Sequence, residues 1–269
     1  PIASAIIEGA GWWNQAFEAA GYRHGFQVKL LPEDADPMDV RYNMINWIHR
    51  STRGWSYGSG VTDPRTGEII KGHVSMDSLR VRQAYLIAEG LVGKYEEGDK
   101  ACSEAMNMAL ARIRQLSAHE VGHTLGLGHN YASNVNDRAS VMDYPGPLVK
   151  MSEDGSLDLS DAYDVGIGEW DKVSIAYGYQ DFPDGADEEK ELRIILEKAF
   201  SSGLLFAAGQ DSGPGSAHPL SAPWVTGRNP VDELERVMQI RSIALASFSE
   251  KKIRPDAPMA TLEEVLVPV

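Results

Sequence analysis

An α+β fold is predicted for this chain: a twisted mixed sheet with helices in the first half, then a mainly helical second half. Three observations carry that expectation. Strand-like alternation is confined to residues 26–77, helical spacing of apolar residues dominates residues 1–20, 79–125 and most of the chain beyond 167, and turn chemistry separates the two kinds of stretch. With 269 residues, 43% apolar and 24% charged, the chain is long enough to bury one large core or two modest ones.

Residues 1–20 place Ile2, Ile6, Trp13, Phe17 and Ala20 on one helical stripe, with Pro1 suited to a first turn and Gly21 to the stop. Phe26 to Leu31 alternates as a strand does, Pro32 to Pro37 is an acidic loop, and Arg41 to His49 reads as a second strand. Asp63-Pro64-Arg65-Thr66-Gly67 is turn chemistry between Tyr57 to Thr62 and Glu68 to Asp77, so a hairpin is expected there. His73 falls on its second arm, where packing or solvation accounts for a histidine without catalysis. Helical runs follow from Leu79 to Gly93 and from Lys100 to Leu125, broken at Gly98-Asp99 with Asp99 as N-cap. Arg112 and Arg114 suggest substrate-carboxylate binding, but charged residues on a long helix are expected on a solvated face. Cys102 is the only cysteine, so no internal disulfide can form, and its Ala/Met-rich helical setting favours packing over nucleophilic catalysis.

Beyond residue 129, Asn130 to Arg138 is a polar loop and Met151 to Asp164 an acidic one, with Asp154, Asp158, Asp161 and Asp164. Oxygen-rich loops can hold structural calcium, though this spacing lacks the glycine and terminal Glu of an EF-hand. Helices are expected over Ile167 to Tyr177 and Glu188 to Phe206, then a Gly/Ser/Pro-rich connection from Ala207 to Pro223. Asn229-Pro230 opens a last long helix to about Phe248, with Val231, Leu234, Met238, Leu245 and Phe248 on its inner face. Thr261-Leu262-Glu263-Glu264 has capping-box spacing, with no long helix to follow before Val269.

The chemistry is concentrated in His119-Glu120-Val121-Gly122-His123-Thr124-Leu125-Gly126-Leu127-Gly128-His129, which holds three of the seven histidines. Residues four apart on a helix share a face, so His119 and His123 can present two imidazoles to one point. That geometry suits a metal, and zinc in particular. Glu120 flanks the point without joining the ligand pair, as a base acting on activated water should. Gly126 can take the left-handed conformation that ends the helix, letting His129 swing back as third ligand. HExxH alone would arise by chance in about one in a hundred such sequences, and adding Gly126 and His129 lowers that to about three in a hundred thousand. Coincidental core histidines are therefore a poor account.

HExxHxxGxxH followed by a methionine turn, here Ser140-Val141-Met142-Asp143-Tyr144-Pro145, resembles the metzincin metallopeptidases. Trp12-Trp13-Asn14-Gln15-Ala16-Phe17, Asp63 to Ile69 and Gly168-Glu169-Trp170-Asp171-Lys172 are similar to a group of large bacterial zinc-dependent metalloproteases catalogued largely as domains of unknown function. The resemblance implies an upper subdomain over residues 1–129, a lower one over 130–206 carrying the Met-turn, a cleft between them, and a C-terminal helical extension over 207–269 packed on the lower part. It implies Met142 as a hydrophobic base beneath zinc and, from Met-x-Tyr as in the astacin and serralysin branches, Tyr144 as a catalytic phenol beside it. A strand that normally precedes the first helix would lie outside this sequence, and Ile70 to Met76 would line the rim of the cleft and pair with substrate. An exported setting, periplasmic, cell-surface or secreted, within a longer polypeptide is also implied. Asn130, the residue after the third histidine, departs from the named branches.

The expected function is a zinc endopeptidase, with Glu120 and Tyr144 catalytic and His119, His123 and His129 holding the metal. A zinc hydrolase with Glu153 or Glu169 as third ligand, or a metal-containing binding module without turnover, stays open. The net charge of −14 opposes nucleic-acid phosphates and anionic membranes and is compatible with a peptide substrate; a peptide or protein substrate is the partner that the resemblance implies. No apolar run is long enough for a membrane span.

Overall fold

In the computed structural model of the chain, which describes residues 1–52, 54–96, 102–213, 215 and 218–269, the first apolar stripe folds as two helices. These are α1 (Ile2–Gly11) and α2 (Trp13–Ala19), and Trp12 and Trp13 are buried on either side of the break. Phe26 to Leu31 forms no strand. Its alternation serves packing instead, because Phe26 stacks on Phe17 with ring centroids 6.0 Å apart and its N–H donates to Asn14 Oδ1.

The sheet has three strands, β1 (Met44–Ile48), β2 (Tyr57–Thr62) and β3 (Ile69–Asp77), in the order β1-β3-β2. β3 runs parallel to β1, with Met44 opposite His73, and antiparallel to β2, with Tyr57 opposite Ser75. The expected hairpin is present, but β3 lies in the middle with neighbours on both sides. From His73 to Ser75 it is paired on both sides, which leaves no room for a further strand there, so of the stretch Ile70 to Met76 expected at the rim only Ile70 to Gly72 and Met76 have a strand neighbour on one side alone. β2 is the edge strand on that side. At Gly58 it passes so close to the next helix but one that a Cβ would sit 1.8 Å from the Glu120 carbonyl oxygen.

β3 runs straight into α3 (Ser78–Val92), whose first turn is closed by the Asp77 carboxylate accepting from Leu79 N–H at 2.8 Å. The break at Gly98-Asp99 and the Asp99 cap lie outside the described residues. α4 (Ser103–Thr124) follows and packs against α1, α3, β2 and β3. Its final turns are enclosed from Gln115 to Gly122, which needs polar groups to be satisfied locally. Ser117 Oγ donates to Ile6 O at 2.8 Å and Trp13 Nε1 to Ala118 O at 2.7 Å, so α1 and α2 pin the metal-motif helix by hydrogen bonds as well as by apolar contact. Arg114 faces outward and pairs with Glu8, but Arg112 is buried, against the expectation of a solvated face.

The rest of the chain is mainly helical. A two-residue hairpin, β4 (Lys150–Met151) with β5 (Leu157–Asp158), precedes α5 (Glu169–Tyr179), α6 (Glu188–Ser201), α7 (Pro230–Ala246) and α8 (Ala260–Leu266). α5 packs on α2 and α6 on α5, while α7 lies against α3 and β5 and α8 against α3, so the last segment reaches both halves of the chain. α6 stops at Ser201 rather than Phe206, leaving Phe206 to stack on Trp170. Asn229 caps α7 as expected, but the face assigned inward is the outer one. Val231, Leu234, Met238 and Leu245 are exposed, whereas Ile240 and Ala244 are buried. Thr261 lies inside α8 and caps nothing. The architecture is α+β, and no helix among the described residues is long and apolar enough to cross a membrane.

Candidate metal centre

His119 and His123 project from the last two turns of α4, and His129 arrives at the same point from the loop beyond. Ring centroids are 4.8 Å apart for His119 and His123, 5.2 Å for His119 and His129, and 4.7 Å for His123 and His129. One nitrogen of each lies within 4.8 Å of the others. The opposite nitrogens are engaged in the protein. His119 Nδ1 donates to Val141 O at 2.8 Å, His123 Nδ1 donates to Leu127 O at 2.9 Å, and His129 Nδ1 is 3.2 Å from Tyr131 Oη.

These bonds decide which nitrogen is free, because donation from Nδ1 leaves the lone pair on Nε2. His129 Nε2 is buried and has no partner, an arrangement proteins avoid unless a ligand supplies one. Burial is the main cause that holds all three imidazoles neutral, with His119 well below its ordinary pKa, His123 below it, and His129 down to about 4 with the nearby His123 contributing. A divalent metal takes neutral imidazole. Three convergent nitrogens with carbonyl-anchored rings fit zinc, whose catalytic sites use three protein ligands and leave one position open.

The local fold explains how the third ligand gets there. Leu125 N–H still donates to the helical carbonyls of Val121 and Gly122, and then Gly126, at φ +84°, turns the chain in a conformation that a Cβ would strain. Leu127 N–H returns to Gly122 O, closing the turn. Gly122 itself faces the Met-turn: a Cβ there would meet Met142 Sδ at 2.2 Å and Trp13 Cζ2 at 2.7 Å, so glycine lets the 2% exposed Met142 pack against the last turns of α4.

Glu120 sits between the two helical histidines, 5% exposed. Burial pushes its carboxyl up to about 7, against the opposing effects of the Arg112 charge, the Gly58 N–H and the Arg80 charge. Tyr144 packs its ring 5.2 Å from His119 and 4.5 Å from His129, and stacks on Trp224 at 5.4 Å. Trp224 N–H also donates to Tyr144 O.

Buried polar side chains hold the loop half together. Asn130, fully buried, donates from Nδ2 to Leu205 O and accepts at Oδ1 from the N–H groups of Ala207 and Ala132, while its own N–H donates to Met142 O. The departure at Asn130 is thus a staple that ties the third-histidine segment to the Met-turn and to residues 205–207. Asp171, also fully buried, accepts from Ser140 Oγ at 2.6 Å, Val141 N–H at 2.8 Å and Gly168 N–H at 2.8 Å. It therefore fixes the Val141 peptide, whose carbonyl orients His119. Asp143 accepts from Ser133 Oγ and Tyr144 N–H.

Sequence reasoning missed Tyr131, Asp171 and Trp224 as supports of the site. Asp171 did lie in one of the stretches that carried the resemblance, but nothing in the sequence shows that its carboxylate is turned inward. Glu153 is exposed and Glu169 pairs with Lys172, so neither takes the third place. In the acidic loop Asp154 accepts from Ser156, Asp158 from Ser160, and Asp161 pairs with Arg138 and Lys150. The one metal-type cluster among the described residues is that of the three histidines, and calcium gains no support. Burial raises the Cys102 thiol, which removes what case there was for a nucleophile.

Comparison with known proteins agrees with this geometry. No curated protein and no solved structure matches the chain. A family model described as Met-zincin matches residues 102–269, more than half of its length and all of the site. The chain belongs to the Met-zincin family.

Proposed function

We propose that the chain is a zinc-dependent endopeptidase in which His119, His123 and His129 hold the metal, Glu120 is the general base and acid, and Tyr144 is a hydrogen-bond donor to the reacting carbonyl. The observation that carries this reading is the buried, unpartnered His129 Nε2 pointing at the same place as two other neutral imidazoles. Zinc, when bound, supplies a Lewis acid that polarises the scissile carbonyl and makes water more acidic.

The protein's own groups do the rest. A carboxyl held near 7 is matched to taking a proton from attacking water and then giving it to the leaving amine. Burial also raises the Tyr144 phenol, keeping it protonated as a donor for the oxygen on which charge develops. The edge strand β2 pairs only with β3 among the described residues, and it passes beside Glu120. An extended peptide can add there as a further strand, which supports cleavage inside chains because such pairing needs no terminus.

Zinc content and peptide-library cleavage, measured on the wild-type chain and on Glu120→Ala, test the proposal. Zinc near one equivalent in both, with cleavage in the wild type alone, is the expected result. Equal cleavage by both proteins refutes the role of Glu120, and zinc without any cleavage in the wild type returns the chain to a metal-containing binding module.

A further inference from the structure

Trp224 stands at φ +67°, a conformation that a bulky L residue holds only under constraint. The constraint is visible on both sides of it. Its N–H donates to Tyr144 O at 3.0 Å, and a Cβ on Gly146 would lie 3.8 Å from its carbonyl oxygen, so the backbone at 224 runs beside the Met-turn. Asn134, 7% exposed, holds the flanks: its Nδ2 donates to Ala222 O at 3.2 Å, and its backbone carbonyl accepts from Gly227 N–H at 3.3 Å. A glycine would take this φ without strain. The position carries the bulkiest of side chains instead.

The result is an indole held outward at the metal centre. Its ring lies over Tyr144 with centroids 5.4 Å apart and planes 19° from parallel, and the Tyr144 ring is in turn 4.5 Å from that of His129 and 5.2 Å from that of His119. Two ring spacings therefore lead from a metal ligand to the indole. Trp224 is nevertheless 55% exposed, which leaves the face turned away from Tyr144 open to water. Its neighbours Val225 and Thr226 are the ones that turn inward, onto a small cavity shared with Val141 and Pro145 that Trp224 does not line. A rigid aromatic face that the backbone is strained to present, and that nothing covers, suits binding better than packing. The surroundings say what it would bind. Residues 145–149 and 221–226, the two segments that meet here, contain no ionisable side chain. Asp143, next to Tyr144, is 4% exposed, and its carboxylate is occupied by Ser133 Oγ and Tyr144 N–H. These segments give the indole face no charge with which to hold a Lys or a Glu, so its complement is apolar.

We propose that Trp224 is a wall of a substrate subsite, so that the chain selects peptides with an aromatic or large aliphatic side chain within two residues of the bond it cuts. The proposal rests on the endopeptidase reading and narrows its substrate class. Distance sets the limit of two residues, because an extended peptide advances about 3.3 Å per residue and the indole lies two ring spacings from His129. A Phe or Leu side chain laid on the open face removes apolar surface from water on both partners, and a Phe ring can stack there as well.

The test uses the zinc-loaded chain and peptides that carry Phe, Leu, Ala, Lys or Glu at each of the two positions on either side of the cut. At one of those positions the wild type is expected to favour Phe or Leu over Ala by roughly tenfold or more in kcat/KM, the scale of burying one large apolar side chain. Trp224→Gly is expected to bring that ratio below about threefold, and Trp224→Phe to retain most of it. Glycine takes the native φ at an exposed position, so the first variant reports on the lost indole and not on a lost fold. A wild-type ratio near one at every position, or a ratio that Trp224→Gly leaves unchanged, overturns the proposal. So does a fall of equal size on every peptide, because the indole would then serve only to hold Tyr144, and so does a rise on every peptide, because it would then be a lid. A preference for Lys over Phe that Trp224→Gly abolishes also overturns it, since the ring would then hold a cation. Binding of labelled Phe and Ala peptides to zinc-loaded Glu120→Gln, read by fluorescence anisotropy, separates this inference from the endopeptidase reading. It needs no turnover: Phe bound about tenfold tighter than Ala, with the difference lost when Trp224→Gly is added, sustains the subsite even if no peptide is cut, and equal affinities sink it.

Discussion

The two halves of the metal centre are built by different means. The α4 half, His119, Glu120 and His123, takes its spacing from the helix itself and its position from α1, α2, β2 and β3 packed around it. The loop half, His129, Met142 and Tyr144, has no regular structure of its own and depends on Asn130, Asp143 and Asp171, with Trp224 laid over Tyr144. Local geometry writes the first half, and long-range buried hydrogen bonds write the second. The consequence is a difference in robustness: a helix keeps two ligands aligned without help, whereas a loop ligand is only as well placed as its supports.

The largest expected effect removes ligands from either half. His123→Ala and His129→Ala should each lose zinc and, with it, cleavage by at least about a thousandfold, while Glu120→Ala loses cleavage and keeps zinc. Metal analysis beside kinetics checks this. Chelation then separates the halves. Amide hydrogen exchange should quicken at 129–144 when zinc is stripped and change little at 115–123, since the helix is held by its neighbours. Equal loss of protection in both stretches would erase the distinction.

Asp171→Ala comes next. It leaves the N–H groups of Val141 and Gly168 and the hydroxyl of Ser140 without an acceptor in a buried place, and the stability cost should be about 3 kcal/mol. Because the Val141 carbonyl orients His119, zinc affinity should fall by about ten- to a hundredfold as well. Asn130→Ala breaks a comparable staple on the other side of His129 and should cost about 2 kcal/mol. Denaturant melts of the metal-free protein, with chelator competition for affinity, measure both. A full-affinity Asp171→Ala would show that the helix alone sets the ligand geometry.

What was legible in the sequence follows the same division. His119, His123 and the turn at Gly126 were readable because helix periodicity and the left-handed conformation of glycine are local rules. The hairpin from Tyr57 to Asp77 was readable from turn chemistry. The rank of β3 within the sheet was not, because pairing partners 29 positions apart, such as Met44 and His73, leave no local mark. For the same reason Phe26 to Leu31 looked like a strand, and the wrong face of α7 looked like its inner one: apolar spacing shows that a face exists, not what covers it. Asn130 could be seen as a departure, but its three partners at residues 132, 205 and 207 give it meaning only in the folded chain. Arg112 was misplaced because a charged residue is expected to find water, and here it meets Gln115 and Tyr163 instead.

A smaller effect separates the two roles of the Met-turn tyrosine. Tyr144→Phe keeps the ring against His119, His129 and Trp224 and removes only the hydroxyl. If the phenol acts chiefly on the transition state, kcat should fall by roughly tenfold, with KM and zinc content little changed. Full kcat would make Tyr144 a packing residue of the loop half.

The smallest effect concerns Tyr131, and it probes the loop half most directly. Its ring stacks on His129 with centroids 5.1 Å apart, its hydroxyl lies 3.2 Å from His129 Nδ1, and its ring centroid is 5.4 Å from that of Tyr144. His119 and His123 have backbone carbonyls at the equivalent nitrogen, and a carbonyl can only accept. A phenol can turn either way, so His129 is the one ligand whose orientation rests on a side chain rather than on the backbone. Tyr131→Phe retains the stack and deletes the hydrogen bond. Zinc affinity should drop by about three- to tenfold, the low end for a partner of a metal ligand because the bond is long and neutral. Tyr131→Ala removes the stack too and should cost a further 3 kcal/mol or so of folding stability, since the ring is buried. The contrast between the two variants is what matters. If Tyr131→Phe binds zinc as tightly as the wild type while Tyr131→Ala merely melts earlier, His129 is held by packing alone, and the loop half is closer to the helical half in robustness than its hydrogen bonds imply.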